Sequence, residues 1–221
     1  MKAIFTIILL CFINMKIIAE NNDSTAFNLG KIILNVGYGF PNLDKAAFDN
    51  NFQWYRNDTY KSMGYGPFHF RAEYGVSDKI GIGVSFNYDT YGGTWSEDYI
   101  INNGFGSTQY YTYHFKKTMT ALTGLIRFNY HVFTTKKLDP YFALGVGFKN
   151  IKKTATSDDP DSKRAEYILK GYNDSGANNL PADAACEAVA GMRYYFTPHI
   201  GIYSEMGIAK SLIQLGVSIG F

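Results

Sequence analysis

Eight segments of this chain carry apolar side chains at every second position. A period of two indicates a β-strand with one apolar face, because successive side chains of a strand point to opposite sides. The 18 Tyr, 17 Phe and 22 Gly favour strands and tight turns, and only 18% of the residues are charged. The predicted strands are Leu29–Phe40, Tyr65–Val76, Ile80–Tyr91, Lys116–Val132, Pro140–Asn150, Ala182–Phe196, His199–Ala209 and Ser211–Phe221.

The second face of these strands carries Gly, Ser and Asn, with charged side chains in mid-strand. A charged side chain at a lipid-facing position near the bilayer midplane would destabilise the barrel by about 2–4 kcal/mol, whereas charged side chains that point inward can pair. We therefore predict an ion-pair network that fills the lumen; a gated narrow conduit or proton-sensitive pore is the alternative. The network residues are Arg71, Glu73, Arg127, Glu187, Arg193 and Glu205, extended toward the ends by Lys31, Asp89 and Lys149.

The spacing of the strands separates a membrane barrel from a soluble barrel with an apolar lumen, which would show the same alternation. Segments of about 10–12 residues match a tilted crossing of the hydrocarbon layer. Short and long connections alternate, as in outer-membrane barrels with short periplasmic turns and long external loops. The short ones are Ser77–Lys79, Phe133–Asp139, Thr197–Pro198 and a turn around Lys210, and the long ones are Phe40–Gly64, Gly92–Phe115 and Ile151–Pro181. The predicted fold is an all-β, eight-stranded antiparallel up-and-down transmembrane β-barrel.

Aromatic residues cluster at both ends of the predicted strands, which is typical of the two interfacial girdles of a membrane barrel. The periplasmic girdle is predicted to hold Phe128, Tyr130, Phe142, Tyr194, Phe196 and Phe221. The external girdle is predicted to hold Tyr38, Phe40, Phe68, Tyr88, Tyr91, Phe148 and Trp95.

Residues 1–19 have the layout of a secretory signal peptide: Lys2, an apolar run from Ala3 to Ile13, and Ala19 as a small residue before the cut. We expect export, with residues 20–221 forming the barrel domain. Cys186 is then the one cysteine left, so an internal disulfide is excluded. An exported chain of this kind is either periplasmic or located in the bacterial outer membrane, and the strand pattern favours the outer membrane.

The segment GMRYYFTPHIGIYSEMGIAKSLIQLGVSIGF (Gly191–Phe221) resembles the closing hairpins of small outer-membrane β-barrels common in Bacteroidetes-type bacteria, related in architecture to OmpA, OmpX and OmpW. The resemblance covers all strands loosely and the last ~30 residues well. It implies insertion by the barrel-assembly machinery, with an assembly signal formed by Gln214, Gly216, Ile219 and Phe221. Because the sequence ends with the last predicted strand, we expect the peptidoglycan-binding domain of full-length OmpA to be absent.

The long loops are the best sequence candidates for function. NNFQWYRNDTY (Asn50–Tyr60) and STQYYTYHF (Ser107–Phe115) are rich in residues that suit protein-binding surfaces, or that sit at the headgroup level. SDDPDSKR (Ser157–Arg164) is predicted to be a solvated acidic turn, because its spacing fits no calcium loop. His114 is predicted to be an interfacial residue, since no serine–histidine motif of lipid deacylases accompanies it.

We therefore expect a structural or surface-binding role, in adhesion or interaction, through long external loops. The alternative is a narrow porin-like or OmpW-like channel for small or hydrophobic solutes, and an enzyme is disfavoured. The expected partners are outer-membrane lipids and lipopolysaccharide, the barrel-assembly machinery, and an extracellular protein or ligand. No cofactor motif is present, and a net charge of +2 argues against nucleic acid. We expect a monomer.

Overall fold

Eight antiparallel strands pair in chain order and close into a barrel. The structure is a computed structural model that describes residues 25–53, 59–102, 108–161, 163–165 and 184–221. Val36 of the first strand lies opposite Phe70 on one side and opposite Val217 of the last strand on the other. This closed pairing confirms the predicted eight-stranded up-and-down barrel. The elements are β1 Ile32–Asn42, α1 Leu43–Gln53, β2 Lys61–Gly75, β3 Ile80–Asn102, β4 Thr108–His131, β5 Leu138–Ser157, β6 Ala184–Tyr195, β7 Ile200–Ile208 and β8 Ser211–Gly220.

The predicted phase of the strands is confirmed, because apolar side chains point outward and polar ones inward. On β4, Ile126 is 65% exposed and Arg127 is 2% exposed. The outward side chains form a continuous apolar belt around the barrel, which is the reverse of a water-soluble domain. Its members include Val36, Val84, Phe86, Leu122, Ile126, Leu144, Val146, Ile202, Met206, Leu215 and Val217.

The aromatic girdles are confirmed in part. At the end with the short turns, called the turn end, Tyr130, Phe142 and Phe196 are exposed on the outward face. At the opposite end, called the extension end, Tyr38, Phe40, Phe68, Tyr88 and Phe148 are exposed as well. Tyr91 and Trp95 were wrongly assigned to this girdle, since both are buried above the barrel mouth.

Three strands continue well past the predicted ends. β3, β4 and β5 contain 23, 24 and 20 residues, so most of the predicted loop 92–115 and the start of the predicted loop 151–181, residues 151–157, are paired strand. The apolar alternation stops where the belt ends, but Thr, Tyr and Lys continue the pairing beyond it, since Thr and Tyr suit strands. This part of β3–β5 is called the extension. Residues 166–183 lie outside the described part of the chain.

The predicted loop 40–64 contains helix α1, which the sequence analysis missed. Asn42 caps the helix, because its side-chain oxygen accepts the Lys45 backbone N–H at 2.9 Å. Phe48 of α1 packs against Tyr91, so the helix lies over the extension end of the barrel. Among the residues that the structure describes, no helix is long and apolar enough to cross a bilayer.

The chain before β1 covers the turn end. The Ala26 backbone N–H donates to the Thr135 carbonyl at 2.7 Å. The Phe27 ring stacks on His131, with centroids 3.4 Å apart and planes 7° apart. Phe27 is 1% exposed and therefore closes the lumen at this end.

Inward-facing glycines make room for large lumen side chains. A Cβ at Gly37 or Gly216 would collide with the Tyr203 side chain, and a Cβ at Gly191 would collide with the Tyr141 ring. A narrow barrel can hold Tyr and Arg only where the facing positions are small. The Gly-rich second face of the sequence is explained by this packing.

Candidate functional site

The middle of the lumen holds a first ion-pair cluster centred on Glu205. Its carboxylate lies 3.0 Å from Arg71 and 2.8 Å from Arg127, and it accepts the Tyr141 hydroxyl at 2.7 Å. Arg127 also lies 2.8 Å from Glu187. These side chains come from β2, β4, β5, β6 and β7, so the cluster connects strands on opposite sides of the barrel.

A second cluster lies between the first and the turn end. Arg193 pairs with Asp139 at 2.9 Å and also contacts Glu73. The two ring nitrogens of His131 lie 2.9 Å from Glu73 and 2.6 Å from Asp139. A histidine can donate to two carboxylates only when both nitrogens are protonated, so this geometry fits an imidazolium ion.

The charges of the two clusters then balance. The three arginines and the His131 imidazolium face four carboxylates, Glu73, Asp139, Glu187 and Glu205. Charges removed from water need partners of this kind, because an unpaired buried ion is costly. The clusters therefore close the middle of the lumen with paired side chains.

The structure brings together all six residues predicted for the lumen. Asp139, Tyr141 and His131 also belong to the network, and they are not among its predicted members. Continuing the alternation of β5 backward from Tyr141 would have placed Asp139 inside, but this residue had been assigned to a turn.

A third set of ion pairs holds α1 over the extension end. Asp44 of α1 lies 2.8 Å from both Lys149 of β5 and Lys210, the residue before β8. Lys210 also pairs with Asp89 of β3. A small cavity of about 120 Å³ lies between these pairs and the first cluster, lined in part by Thr123 and Glu187. The lumen is thus closed by side chains in the middle and covered at both ends.

Three residues were predicted to continue the ion-pair network toward the ends of the lumen. Two of them, Asp89 and Lys149, belong to this third set of ion pairs. Lys31 is buried on the inward face of the chain at the turn end, next to Gly220.

The residues of the implied assembly signal lie at the closing seam. Gln214 is buried in the lumen and accepts from Arg71. Gly216 lies opposite Gly37 of β1, and Ile219 faces outward. The Phe221 backbone exchanges two hydrogen bonds with Ile32, of 2.8 and 3.2 Å. The role of these residues in assembly stays a prediction.

The extension has an aromatic core on the side that faces the barrel axis. Trp95 of β3 and Phe115 of β4 stack with ring centroids 5.6 Å apart and are 3% and 1% exposed. Phe48 of α1, Met119 and Ala165 complete the cluster. Burial of large aromatic rings makes this part of the chain an ordered sheet rather than a set of loops.

The predicted acidic turn is instead attached to the extension at two points. Arg164 donates two hydrogen bonds of 2.6 Å to Asp159 and lies over the Tyr99 and Tyr113 rings, 4.4 and 5.1 Å from their centroids. Asp159 is buried, so the prediction of a solvated turn is wrong for this residue.

The second attachment joins Asp158 to His114 of β4. The His114 backbone N–H donates to one carboxylate oxygen at 2.6 Å, and the ring Nδ1 lies 2.8 Å from the other. The backbone N–H and then the ring of His114 hold the pKa of Asp158 below its usual value. His114 is thus well above the belt, not in a girdle.

Ser96 lies directly opposite His114 in the pairing of β3 and β4, which gives a serine, a histidine and a carboxylate on one face. The His114 and Asp158 side chains are 71% and 55% exposed, so water competes for every contact. A hydrolase needs a shielded imidazole and donors for the oxyanion, and this open arrangement supplies neither. We interpret the pair as a structural clasp.

The clasp should open under acidic conditions. Because the folded-state pKa of Asp158 is lowered, its contribution is present above the ordinary carboxyl pKa of about 4 and is lost as the pH falls through the folded value. Hydrogen exchange of 151–161, corrected for intrinsic rates, should increase below about pH 4. Asp158→Asn should show the faster exchange already at pH 7. Equal exchange in both variants across this range would contradict the clasp.

Within the described ranges, no group of three or more His, Cys, Asp and Glu side chains is arranged to hold a metal ion.

Comparisons with known proteins return solved barrels but no family. No family model and no curated protein matches the chain. The outer membrane protein OprG of Pseudomonas aeruginosa is 13% identical, with a TM-score of 0.41 over 88% of this chain and 97% of that one. Ail, the attachment invasion locus protein of Yersinia pestis, in complex with the heparin analogue sucrose octasulfate, is 11% identical, with a TM-score of 0.39 over 87% and 99%. The N-terminal β-barrel domain of P. aeruginosa OprF is 13% identical, with a TM-score of 0.35 over 88% and 99%.

The fold is that of a small barrel. The closed strand pairing of the chain itself establishes this assignment.

Proposed function

We propose that this chain is an exported outer-membrane β-barrel with a closed lumen, and that the tip of its extension is a binding surface. The two parts of the proposal rest on different features. The belt and the lumen support the location and the lack of transport, and the tip of the β3–β4 hairpin supports binding.

The apolar belt supports location in a bilayer. Ile126 of β4, Val146 and Phe148 of β5, and Met206 of β7 are each at least 65% exposed on the outward face. In water the belt would expose apolar surface on every side of the barrel, whereas in a bilayer the same surface contacts hydrocarbon. Because all strand edges are paired, the backbone also meets the requirement of a membrane interior.

The paired lumen charges count against the channel alternative. The two clusters hold side chains from opposite walls at 2.6–3.4 Å, and α1 and Phe27 cover the two ends. Passage of a solute would require several buried ion pairs to separate together, which is costly.

The exposed aromatic tip is the observation that carries the binding function. Ile100 of β3 is 60% exposed, and its partner Tyr110 of β4 is 74% exposed. Tyr110 lies twelve residues from Leu122 at the edge of the belt, which is about 40 Å along the strand. Headgroup anchoring cannot explain an aromatic side chain at this distance, whereas protein interfaces are rich in such residues.

Adhesion of expressing bacteria to epithelial cell monolayers tests the binding surface. Ile100→Ser with Tyr110→Ser should reduce the number of adherent bacteria at least about fivefold, since truncation of a central aromatic contact costs 1 kcal/mol or more. The matched control is Asp98→Ala with Thr112→Ala, because this pair occupies the next position on the same face. Surface amounts are equalised by the folded band on unheated gels.

Two outcomes contradict the proposal. If the Ile100 and Tyr110 variant adheres as well as the wild type, the tip is not the binding surface. If the wild type gives discrete openings in planar bilayers, the lumen is not closed and the channel alternative gains.

A further inference from the structure

The outward face of the extension is a second unassigned surface, distinct from the tip. Its side chains stand in register across four strands. The highest row that includes all four strands is Lys61, Thr94, Lys116 and Thr156, and is called the lysine row. Between it and the belt lie the rows Met63, Gly92, Thr118, Thr154 and Tyr65, Thr90, Thr120, Lys152.

The charge on these three rows has one sign. Lys61, Lys116 and Lys152 are all exposed, and the other members of the rows are neutral. Lys61 and Lys116 are two strands apart, on either side of Thr94, so their backbones are about 10 Å apart. The acidic side chains farther up this face, Asp98 and Asp158, are held by Thr112 and His114.

The lysine row borders a groove of about 690 Å³. The groove is lined by Lys61, Lys116 and His114, by the Asp158 carboxylate that pairs with His114, and by hydroxyl side chains that include Thr94 and Thr156. Ammonium groups attract phosphate as point charges, and hydroxyl groups exchange hydrogen bonds with sugars. The lining therefore suits a ligand that is both anionic and rich in hydroxyl groups.

The position of the rows indicates where this ligand comes from. They continue the same outward face as the belt, so they look sideways along the membrane and not away from it. Lys116 is six residues from Leu122, about 20 Å along the strand and, at a tilt of ~40°, roughly 15 Å above the belt edge. Lys152 is nearer, pairing with Thr120, only two residues from Leu122.

We propose that this face binds the phosphorylated saccharide headgroups of the glycolipid that surrounds the barrel in the outer leaflet. The proposal rests on the outer-membrane location proposed above, and it assigns a lipid partner to a surface that the tip does not use. The headgroups contact the extension from the side, while the tip remains free for a soluble or cellular partner.

Titration with lipopolysaccharide tests the proposal on the refolded full chain in neutral detergent at low salt. Lys61→Gln with Lys116→Gln should weaken binding roughly 25-fold, at about fivefold for each lysine near an anionic surface. The difference should disappear at high salt, because exposed charges are screened. The control is Lys79→Gln with Lys137→Gln, two exposed lysines in the turns at the other end, which should leave the affinity unchanged.

Two further ligands distinguish a phosphorylated lipid headgroup from a soluble polyanion. Dephosphorylated lipopolysaccharide should bind the wild type as weakly as the Lys61 and Lys116 variant binds the intact form. Equal loss in the control pair, or no loss in the test pair, overturns the proposal. Heparin binding by a chain that does not prefer phosphorylated lipopolysaccharide also overturns it, since the site would then serve a soluble polyanion.

A failure here is distinguishable from failure of the proposed function. A chain whose mobility on unheated gels does not change on heating is not a folded membrane barrel, and the location itself is then wrong. A heat-modifiable chain that adheres through Ile100 and Tyr110 but ignores phosphorylated headgroups overturns this inference alone.

Discussion

Replacement of Glu205 by Gln is expected to lower the free energy of unfolding of the barrel by about 3–5 kcal/mol. Glu205 is 1% exposed and serves Arg71, Arg127 and Tyr141 together. The amide keeps the volume of the side chain but removes the charge, which leaves Arg71 in the low-dielectric lumen without an anion. Removing one partner of a buried ion pair costs more than the pair contributes, because the remaining charge stays desolvated.

Urea unfolding in detergent, with the folded band on unheated gels as the readout, measures the effect of Glu205→Gln. Asp98→Asn is the control, because Asp98 is exposed and its effect should stay within about 0.5 kcal/mol. Glu187→Gln should fall between the two, since Glu187 contacts Arg127, which retains Glu205. A Glu205→Gln barrel within 1 kcal/mol of the wild type would show that the cluster is not a stabilising plug.

Replacement of Phe115 by Ala is expected to open the extension while leaving the barrel folded. Phe115 is 1% exposed and stacks on Trp95, so truncation removes about 3–5 kcal/mol of packing. The extension packs on α1 and on its own strands, not on the belt, so this loss is local. The open form of the extension should become at least about 100-fold more populated.

Limited proteolysis with chymotrypsin measures this opening, because the extension is rich in Tyr and Phe. In Phe115→Ala, cleavage between residues 91 and 119 should accelerate strongly, while heat-modifiable mobility is retained. Thr112→Ala, a truncation at an exposed position of the same strand that is not a chymotrypsin site, is the control and should cleave like the wild type. Unchanged cleavage in Phe115→Ala would mean that the aromatic core does not hold the extension together.

The barrel wall could be predicted from the sequence because a bilayer imposes a strict pattern. Outward positions within the belt are mostly apolar, so the alternation indicates both the strand and its phase. Arg127 next to Ile126 and Phe128 is enough to assign the lumen face of β4. The inward positions of the arginines and glutamates followed from the same parity.

The extension could not be predicted in the same way, because it lies beyond the apolar belt and neither of its faces has to be apolar throughout. Thr94, Lys116 and Thr156 carry no apolar signal, so paired strand resembles loop in the sequence. The clasp of Asp158 and His114 joins residues 44 positions apart, and no local spacing predicts it. Helix α1 is similarly short of periodic apolar positions, and Phe48 is buried only because it packs against Tyr91 and Trp95 of β3.

The continuous pairing of β3 with β4 has a mechanical consequence. The ladder runs without interruption from Ile80 and Tyr130 at the turn end to Asn102 and Thr108 near the tip. A flexible loop pulled by a bound cell would first stretch, and only then transmit tension. Here a tensile load on the tip passes at once along the strands into the barrel wall, where it is shared by hydrogen bonds loaded in parallel. The proposed binding tip would therefore be held against flow by the whole length of the strands beneath it.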